Sequence, residues 1–181
     1  MKNRAINAVV ALFSVMVAVG FNCQAQNSRP TKYQIEAAFI YNFARFVDWP
    51  TQAFARASSP LVIGVLGKNR FGADLAKTIN DKVIRGHPLK FRECASLPDA
   101  MRCQVLFISD SEKGRLSKII STLGAGNILT VGEMDNFIDQ GGMINLTIID
   151  QKVRFEINNS AAKAAGLTIS SKLLSLAIKV K

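Results

Sequence analysis

"LVIGVLGKNRFGADLAKTIN", residues 61–80, decides the fold. Residues 61–67 form a short apolar run closed by glycine, the signature of a buried strand, and residues 71–80 read as a helix. A buried strand feeding directly into a helix is the repeating unit of α/β proteins. Downstream, "PLKFREC" (88–94) alternates and predicts a second strand, and "QVLFIS" (104–109) a third. "EKGRLSKIISTLG" (112–124) predicts a helix closed by Gly124, "NILTVG" (127–132) a fourth strand, and a short helical turn runs through Phe137. "MINLTIID" (143–150) and "KVRFEIN" (152–158) predict a hairpin turning at Asp150-Gln151. "NSAAKAAG" (159–166) reads as an alanine-rich helix, and "SSKLLSLAIKV" (170–180) as an amphipathic one capped by Ser170 or Ser171. The expectation is a single α/β domain: a mostly parallel sheet with an antiparallel edge hairpin, flanked by helices.

Upstream, Thr31-Lys32-Tyr33-Gln34 spells a capping box. Ile35, Phe39, Phe43 and Phe46 then recur at helical spacing, with Ile40 and Val47 on the same arc and Tyr41, Asn42, Arg45 and Asp48 opposite. Pro50 is expected to stop this helix at Trp49. Glu36 is a lone charge within the apolar arc, and its place in the first turn reads as complementing the helix dipole.

Residues 1–25 have the layout of a cleaved secretory signal peptide. Lys2 and Arg4 precede an apolar run from Ala8 to Phe21, and Cys23-Gln24-Ala25 places small residues before a cleavage point. The run is short for a membrane span, and Gly20-Phe21-Asn22 is a poor context for lipidation of Cys23. Residues 26–181 form the expected exported domain. Loss of Lys2 and Arg4, with no acidic residue, lowers the net charge from +10 to +8. The basic residues are scattered rather than striped, which argues against nucleic acid and for a solvated surface, ahead of an anionic membrane surface or an acidic partner.

After cleavage Cys94 and Cys103 remain, an even number in an oxidising compartment, which favours a disulfide over two free thiols. Gly64, Gly67 and Gly72 match neither phosphate-binding glycine spacing, so they read as turn glycines. With His87 as the only histidine, no zinc set and no nucleophile–base pair is evident. Asp110 and Asp135 read as capping or solvated carboxylates. No cofactor, metal or catalytic residue is expected.

The blocks "IEAAFIYNFARFVDWP" (35–50), "LVIGVLG" (61–67), "CQVLFIS" (103–109), "ILTVGEMDNFIDQGGMINL" (128–146) and "VRFEINNSAAKAAGLTISSKLLSLA" (153–177) resemble the successive blocks of the YfiR family, in that family's order. The resemblance implies a periplasmic repressor rather than an enzyme. It would bind the periplasmic sensor domain of a membrane-bound diguanylate cyclase, hold down cyclic di-GMP synthesis and so limit biofilm. An OmpA-like outer-membrane lipoprotein would sequester it, and it would form homodimers. Two features depart from the pattern: Gln104 follows Cys103 where relatives carry His, and one mature cysteine pair stands where some have two. Tyr41, Arg45 and Trp49, with Leu173, Leu174 and Ile178 on the last predicted helix, are the candidate partner or dimer surface. The alternative is a periplasmic small-ligand sensor for another signalling or transport system, using the crevice at the carboxyl ends of the strands.

Overall fold

The structure is a computed structural model that describes residues 29–124 and 126–181. The expected signal peptide and its cleavage point lie outside the described residues. Among those residues, no helix is long and apolar enough to cross a membrane.

Helix α1 (Lys32–Arg45) starts at the expected capping box: Thr31 accepts from the Gln34 amide, and the Gln34 side chain accepts from the Thr31 amide. It ends earlier than Pro50 would dictate. Phe46 caps it, and Val47–Asp48 becomes strand β1, paired antiparallel with Ile169 and Thr168 of β9 (Thr168–Ile169). Val47 is fully buried there, so a β-branched residue is better served by pairing than by another helical turn. Pro50 instead leads into a 3-10 turn at Thr51–Ala53.

The main sheet has eight strands. Its central members are β2 (Leu61–Leu66), β4 (His87–Cys94), β5 (Val105–Ile108) and β6 (Leu129–Gly132), all mutually parallel, and β6 runs parallel to β7 (Ile144–Ile149). From one edge, the order is β10 (Lys179–Val180), β8 (Lys152–Ile157), β7, β6, β5, β2, β4, β3 (Val83–Ile84). β8 is antiparallel to β7, and β3 is antiparallel to β4. Asp150 and Gln151, which join β7 to β8, both have positive φ, the geometry of a type I′ turn, whose twist matches that of the flanking strands. This is the expected α/β domain. Chain order changes direction at β2: the chain goes outward to β4, then returns to β5 on the other side.

Helix α2 (Asp74–Ile79) connects β2 to β3, and the short α3 (Leu97–Ala100) connects β4 to β5. The predicted helix at 112–124 is a 3-10 turn (Asp110–Arg115) followed by α4 (Leu116–Leu123), closed by Gly124 at φ 47°. Residues 135–141 form turns rather than a helical turn. Asn158 caps α5 (Asn159–Ala164) by accepting from the Ala161 amide. The C-terminal amphipathic helix is a single turn, α6 (Ser171–Leu174), with Ser170 as its cap. Beyond it, Lys179–Val180 forms β10, parallel to Glu156–Ile157 of β8. The unpaired edge of β8 offers backbone partners that a longer surface helix would leave unused.

Two apolar clusters sandwich the sheet. One joins α1 to the sheet, where Phe39, Phe43 and Phe155 pack with ring centroids 5.1–5.9 Å apart. The other lies under α3 and α4 and includes Cys94, Cys103 and Phe137.

Candidate functional site

Helix α1 runs the length of the sheet, and each of its ends meets one end of the parallel strands. Its first turn lies over the carboxyl ends. Lys32 pairs with Glu133, which directly follows β6, and lies 3.6 Å from Glu36; Tyr33 meets Phe71, beyond the end of β2, edge to face at 6.1 Å. Arg70 and Asp110, after β2 and β5, pair at 2.6 Å. Glu36 is 1 % exposed, and its Oε2 has no hydrogen-bond partner. Burial and then the Glu133 charge raise its pKa to about 7, against the opposing pull of Lys32. A first-turn carboxylate that merely complements the helix dipole would be solvated. Glu36 is instead a buried group that takes up a proton far more readily than a solvated carboxylate, and its lone position within the apolar arc was the sequence signal. The first turn of α1 thus lies over the carboxyl ends of β2 and β6 and is tied there by ion pairs, while open cavities of about 250 and 280 Å³ remain between the segment after β6 and β7.

The other end is built differently. After α1, Asp48 and Trp49 come down beside Leu61 at the start of β2 and the hairpin joining β3 to β4. They line a cavity of about 120 Å³ together with Phe54, Ile84, Arg85 and His87. The hairpin turns through Arg85 and Gly86, both at positive φ, a conformation that costs a non-glycine residue some strain. It aims Arg85 back at α1's exit: Nη1 donates to the Val47 carbonyl at 2.8 Å and pairs with Asp48. His87 stacks on Phe54 with centroids 3.8 Å apart and planes 12° from parallel. The His87 Nδ1 lies 2.7 Å from the Ser59 carbonyl, which only accepts, so Nδ1 carries a proton and donates to it. Gln104 steadies this end, accepting from the Val62 amide and donating to the Ala53 carbonyl, both at 2.9 Å. The Trp49 indole N–H is buried without a partner. A buried donor left unpaired costs roughly 1–3 kcal/mol. Sequence reasoning singled out Trp49 but missed Phe54, Arg85 and His87, which only the hairpin brings to it.

Between the ends, Cys94 and Cys103 are buried thiols with sulfurs 3.7 Å apart, packed above Gly64. A Cβ on Gly64 would lie 2.5 Å from one sulfur and 2.9 Å from the other, so this glycine makes room for the pair rather than for a turn. Their shared hydrogen bond lowers the Cys94 pKa, while that bond and burial raise that of Cys103.

The other sequence candidates separate. Tyr41 lies under Lys82 at 4.2 Å and Arg45 at 5.7 Å, on the outer face of α1. Leu173 is core, 3 % exposed, so it drops out of any partner surface; Leu174 is half-buried, and Ile178 is 47 % exposed on the segment entering β10. Asp110 is an ion-pair partner rather than a cap, and Asp135 is solvated. Among the described residues, no group of three or more potential metal ligands converges.

A family model described as YfiR/HmsC-like matches residues 33–178. The chain belongs to the YfiR/HmsC-like family. That family is regulatory rather than catalytic. No curated protein matches. Among solved structures, the chain is similar to a conserved domain protein from Vibrio cholerae O1 biovar eltor, with 14 % identity, TM-score 0.57, and coverage of 83 % of this chain and 60 % of that one. It is also similar to an ABC domain from Streptococcus pneumoniae in complex with L-Trp, with 13 % identity, TM-score 0.53, and coverage of 82 % and 60 %. At such identities the likeness is one of fold, and this chain spans 60 % of each of those proteins.

Proposed function

We propose that this protein is a periplasmic regulator that binds the sensor domain of a membrane-bound diguanylate cyclase and represses cyclic di-GMP synthesis. The observation that carries this reading is the family match over residues 33–178. Family membership likewise underlies the expected homodimer and capture by an OmpA-like lipoprotein. The surface fits a partner role: Leu176, Ile178 and Val180 are each about half exposed beside Lys179 and Lys181, at the sheet edge that β10 leaves short. Tyr41, Arg45, Trp49, Leu174 and Ile178 remain the candidate contacts. Cys94 and Cys103, already adjacent, are proposed to bridge after export.

The test is cyclic di-GMP in the native host: wild type, deletion, and deletion complemented with or without residues 1–25. A rise on deletion that only the exported form reverses supports the reading; no change on deletion overturns it. The second reading, a small-ligand sensor for another envelope system, is favoured by the cavity beside Trp49.

A further inference from the structure

Three cations from three parts of the chain meet on the outer face of α1. Lys82, just before β3, lies over the Tyr41 ring at 4.2 Å, and Arg45 stands 5.7 Å from the centre of the same ring. Arg45 is also 5.9 Å from the Phe46 ring, which Lys172 of α6 approaches to 5.5 Å. The rings thus thread the cations into one row, with the Arg45 guanidinium shared at its centre. Backbone hydrogen bonds fix the row. The Lys82 carbonyl accepts from the Leu89 amide at 2.8 Å, and the Phe46 carbonyl accepts from the Ser170 amide at 2.9 Å, which seats α6 beside the end of α1.

None of the three is paired with a carboxylate among the described residues, not even Lys82 with the adjacent Asp81. Lys32, Arg70, Arg85 and Arg115 are all so paired. The negative end of the α1 dipole would account for Arg45 alone, but Lys82 and Lys172 come from other elements. Like charges gathered on one face repel, and a ring face offsets this only modestly at an exposed site. An anion relieves that repulsion. A guanidinium offers a fork of N–H donors that fits a carboxylate, and the flanking ammonium groups act as point charges that steer an acidic surface toward it. Tyr41 and Phe46 are half-buried beneath the cations, so they cannot dip into a lipid layer as the aromatics of membrane-surface helices do. The chemistry is that of a contact with an acidic protein surface.

We propose that this row docks an acidic patch, a group of Asp or Glu side chains, on the sensor domain of the membrane-bound cyclase. The inference rests on the repressor reading and adds to it the place and the chemistry of the contact.

The test is made in the native host with the full chain. A deletion strain is complemented with wild type, with Arg45→Glu/Lys82→Glu/Lys172→Glu, or with Lys68→Glu/Lys90→Glu/Lys118→Glu, which reverses three exposed lysines elsewhere. Cyclic di-GMP is read beside the amount of exported protein. The row variant should leave cyclic di-GMP as high as in the deletion, while the control triple restores the wild-type level. Repression by the row variant equal to wild type overturns the docking surface and leaves the repressor reading standing. Equal failure of the control shows an effect of net charge alone and also overturns the surface. No rise on deletion overturns both. With purified proteins, Arg45→Gln should weaken binding to the sensor domain roughly tenfold, and Arg45→Lys should recover only part of that loss. Added salt should weaken wild-type binding far more than that of the row variant. Should the triple variant fail to accumulate, Arg45→Gln decides in its place, and undiminished binding by it overturns the proposal. Binding to phosphatidylglycerol vesicles that the row variant loses, with no binding to the sensor domain, assigns the row to a membrane and overturns the acidic-protein partner.

Discussion

The two ends of the sheet solve the same problem in opposite ways. Each holds a buried polar atom with no partner, and each is reached by one end of α1. At the carboxyl end the atom is an acceptor, Glu36 Oε2, and Lys32 stands between this carboxyl group and that of Glu133. At the amino end it is a donor, the Trp49 N–H, and the surrounding groups leave a cavity. A carboxyl group relieves its isolation by taking up a proton; an indole cannot change its protonation and carries the cost of an unpaired donor at any ordinary pH. The first end is therefore expected to respond to pH and the second is not.

The largest expected effect tests the carboxyl end. The folded pKa of Glu36, about 7, lies above its ordinary value of 4.5, so folding favours the protonated form. The stability tied to that proton is fully present below about 4.5 and is lost as the pH rises through about 7. The difference amounts to about 3 kcal/mol across that window. Glu36→Gln should remove this dependence and make the protein more stable than wild type at pH 8. Urea unfolding of both proteins at pH 5 and pH 8 checks it. Parallel slopes for the two would show that Glu36 is not the source and would erase the contrast between the ends.

Next in size is the packed middle that separates them. A disulfide between Cys94 and Cys103 closes a loop of ten residues and adds roughly 2–3 kcal/mol. Thiol labelling of the unfolded, unreduced exported protein should find no free cysteine, and Cys94→Ala should lose about that much stability. Full labelling would sink the bridge and leave two buried thiols over Gly64.

How much of this contrast is legible in the sequence follows from how local each part is. The βα alternation, the Thr31–Gln34 capping box and the hairpin at Asp150-Gln151 are set by neighbours in the chain, and each is found where the pattern puts it. β1, β9 and β10 are two residues long, too short for periodicity, and exist because distant backbone pairs with them. That is why the helices expected to reach Trp49 and Val180 stop short. Glu36 is visible as an anomaly within an apolar arc, but its burial depends on what α1 lands on. The amino-end cavity draws on residues 48–49, 54, 61 and 84–87, whose convergence is tertiary, so only Trp49 stands out beforehand.

Gln104→Ala sharpens the comparison at the amino end. It leaves the Val62 amide and the Ala53 carbonyl without their partner and should cost about 1–3 kcal/mol. It also loosens the turn that carries Phe54. The pH dependence from Glu36 should be unchanged, because that residue lies at the far end of α1. A flattened pH profile in Gln104→Ala would mean that the two ends are coupled.

The smallest effect compares like with like, since an ion pair guards each end. Asp48 and Arg85 are each about half exposed, so Asp48→Asn should cost at most about 1 kcal/mol, an effect largely screened in 1 M salt, where the Debye length is roughly 3 Å. Lys32 is also partly exposed, but the carboxylate it faces at Glu36 is buried. Lys32→Met removes the cation that opposes the upward shift of Glu36, so the Glu36 pKa should rise further above about 7, and salt should do little to mask the change. Salt titration of both variants during urea unfolding separates the two. If Asp48→Asn resists salt and Lys32→Met yields to it, the assignment of the closed and open ends is reversed.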